Sequence, residues 1–207
     1  MGPHTTAPGA RASHKLRTRQ ELLRRGLDLF LDRGYGRTTI GDVAREAGVS
    51  ERTFFRYFAS KEELVLHPVQ EITDHFLTEA ERRPEHEPPL MVLREAGARV
   101  METTAAESLE TVLPALRLVC VEPELRAAQM VHSAAAHQRM AAVLARRERT
   151  APGDLRPSLL VGAYVVASAL AAQDWTRRGD GSLVALQRAT DDHLRQMPAA
   201  LAERWSG

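Results

Sequence analysis

Residues 38–64, TTIGDVAREAGVSERTFFRYFASKEEL, constrain this chain more than any other segment. Ile40, Val43 and Ala44 recur at helical spacing and predict a short helix with one buried face. Thr38 or Thr39 supplies a hydroxyl to cap its first free amides. Small Ala47 permits a close helix crossing, and Gly48 stands where the chain must turn, because glycine takes positive φ without a Cβ penalty. Ser50 caps a second helix, with Glu51 in the first turn against the positive helix end. Phe54 and Phe58, four apart, share the buried side. Arg52, Thr53, Phe55, Arg56 and Tyr57 fall on the other sides. Ser60-Lys61-Glu62-Glu63 reads as a capping box, with Ser60 capping forward and Glu63 reaching back, so a third helix starts near Lys61. Upstream, Leu16, Leu23, Leu27, Phe30 and Leu31 predict a scaffold helix from Lys15 to Arg33, ended by Gly34. Helices this short joined by turns this tight form a helix-turn-helix head, whose second helix can lie in a DNA major groove while its flanks hold phosphates.

The run LDLFLDRGYGRTTIGDVAREAGVS, followed by TFFRYF and SKEEL, resembles the N-terminal domain of the TetR family of one-component regulators over residues 15–65, and a length of 207 residues suits that family. The resemblance implies an all-α homodimer, a variable C-terminal domain that binds a small molecule, and, in most relatives, repression. It puts Arg52, Thr53, Phe55 and Arg56 where relatives approach base edges, with Arg56 also within reach of phosphate. It puts Thr39, Tyr57 and Lys61 where relatives hold phosphates. Phe55 departs from the tyrosine common there: it cannot donate to a phosphate but can pack on a sugar or a thymine methyl. Ordinary alternatives stand beside these roles: Tyr57 as a core aromatic, Arg52 and Arg56 as solvated charges, Glu51 as a helix-end stabiliser.

Charge is divided along the chain. Residues 1–61 hold twelve Lys/Arg against six Asp/Glu; the remainder holds sixteen against twenty-one. The positive part carries the recognition helix, as contact with a polyanion requires. A single cysteine, Cys120, excludes an internal disulfide framework and reads as a small buried hydrophobe. No apolar run follows the start, and the stretch Leu159–Ala172 falls short of the roughly 20 residues a bilayer needs, so a cytoplasmic protein without membrane contact is expected. His132 with His137, and Asp191-Asp192-His193, have poor spacing for a shared metal, and no phosphate-cradling glycine loop or nucleophile motif occurs. Neither catalysis nor a cofactor is expected.

Residues 1–13 lack apolar periodicity and are expected to form a disordered tail. Residues 14–62 form the DNA-binding head and 63–207 a ligand-binding and dimerisation body. That body reads as helices over 61–83, 90–103, 108–121 (broken by Pro114), 124–149 and 157–178. A last helix is capped by Ser182 and bent by Pro198. Pro68 predicts a kink where head meets body. Phe76, Met101, Leu113, Leu116, Cys120, Met130, Tyr164 and Trp175 are candidate walls of an effector pocket or plain core, and the methionines favour an apolar ligand. The stretch RLVCVEPELRA (117–127) resembles the C-terminal domains of mycofactocin-type regulators, a group associated with acyl-CoA effectors. Small residues along 157–178, with Gly162, Val166 and Ala169, offer a close-packing face together with Leu186, Thr190 and Leu194 of the last helix. The TetR resemblance places the dimer interface on this pair; an internal core is the alternative. A two-fold dimer reads two half-sites about one helical turn apart, and so a near-palindromic operator. The reading is a ligand-responsive repressor, set against an activator on the same DNA, or an all-α carrier or enzyme whose head serves protein contacts.

Overall fold

The computed structural model describes residues 8–104, 106–179 and 182–200. Among them run nine helices and no strand: α1 Pro8–Arg33, α2 Ile40–Glu46, α3 Glu51–Phe55, α4 Lys61–Arg82, α5 Pro89–Thr103, α6 Ala106–Val121, α7 Pro123–Glu148, α8 Arg156–Arg178 and α9 Leu183–Ala200. The all-α architecture, a helix-turn-helix head followed by a helical body, is the one expected.

The head closes on one apolar cluster. Leu22, Leu23, Leu27 and Phe30 of α1 meet Val43 and Ala44 of α2, Phe54 of α3 and Phe58 behind it. Leu64, Val65 and Val69 of α4, Ala115 and Leu118 of α6, and Leu125 of α7 complete it. A Cβ at Gly26 would meet Leu64 and Val43 at 3.1–3.2 Å, so glycine lets α1 approach α2 and α4 closely. A second cluster joins Leu77 and Ala80 of α4, Val92, Leu93 and Ala96 of α5, Met140, Ala141, Val143 and Leu144 of α7, and Val161 and Tyr164 of α8. α9 packs along α8 and against α5. α4 serves both clusters, so the boundary expected at 62/63 falls inside a continuous helix.

Three expectations need correction. Residues 8–13 belong to α1 rather than to a disordered tail, with Pro8 at the first helical position, where a missing amide hydrogen costs nothing; residues 1–7 lie outside the described residues. α6 is not broken at Pro114 but runs through it. The lost amide is outweighed by burial of Val112, Ala115 and Leu118 on the packed face. In α4, Ser60 Oγ accepts from the Glu63 amide at 3.0 Å as expected, but Glu63 reaches the Ala59 amide, not that of Ser60. A true reciprocal box stands at α2, where Thr39 and Asp42 cap each other.

Candidate DNA-binding surface and ligand cavity

The turn between α2 and α3 takes the form the sequence requires: Gly48 has φ +68°, and the Val49 amide donates to the Ala44 carbonyl at 2.9 Å. Ser50 Oγ accepts from the Thr53 amide at 3.2 Å and lies 3.0 Å from the Thr53 hydroxyl, which leaves Thr53 half-buried. α3 proper is five residues, but amide bonds from Tyr57 and Phe58 back to Phe54 extend the coil. Phe54 and Phe58 anchor it, at 0% and 1% exposure. The opposite side presents Arg52, Phe55 and Arg56, all exposed; the Arg56 guanidinium lies 5.1 Å from the Tyr57 ring centroid. Neither arginine pairs with a carboxylate among the described residues, so both heads are available to a partner.

The flanking groups are held. Thr39 Oγ1 donates to Asp42 Oδ2 at 2.6 Å, and Asp42 is pulled down to about 2 by hydrogen bonds from the Thr39 hydroxyl and amide, with Arg45 adding to them. The half-buried Lys61 Nζ donates to the Tyr35 and Thr38 carbonyls at 2.9 and 2.8 Å and lies 4.5 Å over the Tyr35 ring. Two of its three donors thus tie the α1–α2 connection to α4, and the third remains for a phosphate. Replacing Lys61 by methionine is expected to cost about 1.5–3 kcal/mol of stability, the range for a hydrogen bond to a charged group. It should also shallow the salt dependence of DNA binding. Urea denaturation and a salt titration on one preparation check both.

Behind the head, His67 of α4 joins it to α1. Its ring nitrogens lie 3.0 Å from Arg19 Nη2 and 3.1 Å from Glu71 Oε1, with the ring edge-on to Phe58. Burial lowers the His67 pKa below the ordinary histidine value, Arg19 adding to this and Glu71 and Glu63 opposing it. The neutral ring is therefore the native form. The stability it contributes is complete above the ordinary value and lost as pH falls through the lowered one. Wild type should lose more urea resistance than His67→Gln between pH 7.5 and 5.5; equal losses would contradict this.

A cavity of about 540 Å³ opens in the body. Phe76, Met101, Leu116, Cys120, Met130 and Tyr164 stand on its wall. Phe76 and Tyr164 are stacked, 12° apart in plane with centroids at 5.4 Å. Leu113 and Trp175 are not on that wall, which corrects the expectation for both. Leu113 lies a turn before the first α6 residue to reach the cavity. Trp175 turns into the seam with α9, where its indole N–H donates to the Ser182 carbonyl at 3.0 Å and Arg117 lies over its ring. The rim runs between α7 and α8, where Arg126, Met130, Val165, Ala169 and Gln173 are exposed. The sequence reading missed Gly97, Gln129, Ser133, Leu186, Gln187 and Thr190 as wall residues. A Cβ at Gly97 would meet the Tyr164 hydroxyl at 2.5 Å and Gln187 Oε1 at 2.8 Å, so glycine there admits both.

The family model described as bacterial regulatory proteins, tetR family, matches residues 22–67, and that of the MftR C-terminal domain matches residues 87–202, more than half the chain. The HTH-type transcriptional regulator TcmR of Streptomyces glaucescens is 36% identical over 96% of this chain and 90% of its own length. The chain belongs to the TetR family. It is accordingly a DNA-binding transcriptional regulator, and it acts by binding rather than by catalysis. A putative mycofactocin biosynthesis transcriptional regulator, MftR of Mycobacterium tuberculosis, is 27% identical over 87% of this chain and 89% of its own. Among solved structures, Thermus thermophilus FadR in complex with lauroyl-CoA shares the fold at TM-score 0.56 and 23% identity, covering 91% of this chain and 97% of that one. NalD of Pseudomonas aeruginosa, a repressor of a multidrug efflux pump, shares it at TM-score 0.59 and 20% identity, covering 93% and 100%.

In this TetR-family fold, α8 and α9 divide the candidate dimer residues. On α8, Val166 and Ala169 are exposed, in line with Leu159 (68%) and Leu170 (47%), and Gly162 is half-buried beside them. α8 is also long and apolar enough to cross a membrane by length and composition, which corrects the estimate from its fourteen-residue apolar stretch; one side of it, Val161, Tyr164, Ala167, Ala171 and Trp175, is buried in the body. An exposed apolar stripe on a regulator's helix suits a second helix pair. On α9 the expectation is corrected. Thr190 is 3% exposed and, with Leu186, lines the cavity, while Leu194 packs on the second cluster. The outward side of α9 carries Val184 and Arg188 instead.

Proposed function

We propose that the chain is a cytoplasmic repressor that binds a near-palindromic operator as a homodimer and is released by a small, mainly apolar effector held in the body cavity. The observation that carries this is shared structure. α4 places Leu64, Val65 and Val69 in the head cluster and Val69, Ile72, Phe76 and Leu77 on the cavity wall. α6 likewise gives Ala115 and Leu118 to the head cluster and Leu116, Val119 and Cys120 to the wall. A ligand that spreads the wall therefore moves the helices on which α1–α3 rest, and a packed interior transmits that shift instead of absorbing it. Two heads reset in this way no longer match successive major grooves.

The DNA surface supports the same reading. Arg52, Thr53, Phe55 and Arg56 face base edges, and Thr39, Tyr57 and Lys61 flank them toward phosphates. The α8 stripe at Gly162, Val166 and Ala169 supports the homodimer. A gel shift on DNA upstream of the chain's own coding sequence tests the proposal, with organic extracts of the host cell as the source of effector. The expected result is a shifted complex of two chains per site whose affinity falls about 5–150-fold with an active extract, the usual range of allosteric coupling. A complex that no extract weakens would sink release by an effector. Tighter binding in the presence of extract, with higher reporter output, would make the chain an activator.

A further inference from the structure

Of the four buried side-chain polar atoms without a hydrogen-bond partner among the described residues, two belong to cavity glutamines: Gln129 Oε1 and Gln187 Nε2. Buried polar atoms are nearly always paired, so such orphans need a cause. Gln129 is fixed at its other end, its Nε2 donating to Ser133 Oγ at 3.2 Å, and Gln187 points its Oε1 to the space over Gly97 that the buried Tyr164 hydroxyl also fills. α7 is left with a spare acceptor and α9 with a spare donor. Both atoms are closed from water, but the terminal amide torsion is soft, so either amide can turn to a guest without backbone movement.

Charge on the wall is scarce. Arg126 is the one Lys, Arg, Asp or Glu on it, stands at the exposed rim, and gives its Nη1 to the Cys120 carbonyl at 2.9 Å. His137 is the one other titratable side chain with a basic nitrogen on the wall, so an anionic group carried past the rim would lose its water with no Lys or Arg to replace it. The stacked Phe76–Tyr164 pair instead offers a flat apolar face.

We propose that Gln129 and Gln187 select the effector, and that it is an uncharged, aromatic, largely apolar molecule carrying a hydroxyl for Gln129 and a carbonyl for Gln187. The ligand bridges α7 to α9 through these groups. This rests on the effector-cavity reading above and runs against an acyl-CoA ligand.

The test is isothermal titration of the full chain with 4-hydroxybenzophenone, with benzophenone (no hydroxyl), with 4-benzylphenol (no carbonyl) and with lauroyl-CoA. The hydroxyketone is expected to bind about tenfold tighter than either trimmed probe, one hydrogen bond's worth. Gln129→Met should erase the gap to benzophenone, and Gln187→Met the gap to 4-benzylphenol. Empty Gln129→Met should melt no lower than wild type, since it removes an orphan, whereas Gln187→Met also strips a polar neighbour from the buried Tyr164 hydroxyl and should melt lower. Equal binding of the three neutral probes, absence of binding by any of them, preference for lauroyl-CoA, or a sharp fall in melting temperature of empty Gln129→Met would overturn the proposal. A gel shift with the same probes keeps the two readings apart. Glutamine-dependent binding that leaves operator affinity unchanged sinks release by an effector but not selection by the amides. Release that ignores both glutamines does the reverse.

Discussion

Phe54→Ala is expected to cost about 3–5 kcal/mol, the usual range for emptying a buried phenylalanine site. Phe54 is 0% exposed and touches both Phe55 and Phe58, at centroid distances of 5.7 and 5.9 Å. It is the peg that seats a five-residue helix against α1, α2 and α4. A loss of that size is a large share of a domain's net stability of roughly 5–15 kcal/mol. Thermal or urea denaturation should show it, and DNA binding should be lost well below the bulk melting temperature because the head yields first. Phe55→Ala is the control. Phe55 is 52% exposed, so its removal should change stability by no more than about 0.5 kcal/mol. Any loss of DNA affinity in that variant would belong to the contact and not to the fold.

Arg52→Ala combined with Arg56→Ala is expected to leave folding intact and remove DNA recognition. Among the described residues neither guanidinium meets a carboxylate, and Arg56 only stacks on the half-buried Tyr57 ring, so nothing buried is orphaned when they go. At a base edge each arginine is worth about 1–3 kcal/mol of discrimination. The double variant should lose roughly 30- to 20,000-fold in operator affinity, at about 1.4 kcal/mol per tenfold. The single variants divide the work. Arg52→Ala should bind operator and scrambled duplex more nearly alike, whereas an arginine on phosphate would lower both equally and reduce the salt slope by about 0.9. Anisotropy titrations on two duplexes at three salt concentrations separate these outcomes.

The head was legible because its signals are local. Glycine at a positive-φ turn, serine before a helix, and aromatics four apart each name their own geometry, and Gly48, Ser50, Phe54 and Phe58 stand where those signals put them. The body was legible only as a series of helices. Proline is a local veto that packing can override, which is why Pro114 lies inside α6 and Pro68 inside α4. The two sides of α9 were misjudged because periodicity shows that a stripe is apolar but not which neighbour it meets. Leu186 and Thr190 turned out to face the cavity. Trp175 and Leu113 failed as wall residues for the same reason: an apolar side chain looks alike on a wall and in a seam. Gln129 and Gln187 did leave a trace, as amides within otherwise apolar and small-residue helix faces, but only their unpaired atoms in the folded chain give that trace meaning.

The most direct measurement is fluorescence anisotropy of the purified chain on a labelled duplex from upstream of its own coding sequence, repeated as ionic strength rises. The account predicts saturation at two chains per site and an association constant that falls steeply and linearly on logarithmic axes as salt displaces the arginine and lysine contacts. Absence of binding at low salt, or binding indifferent to salt, would contradict it.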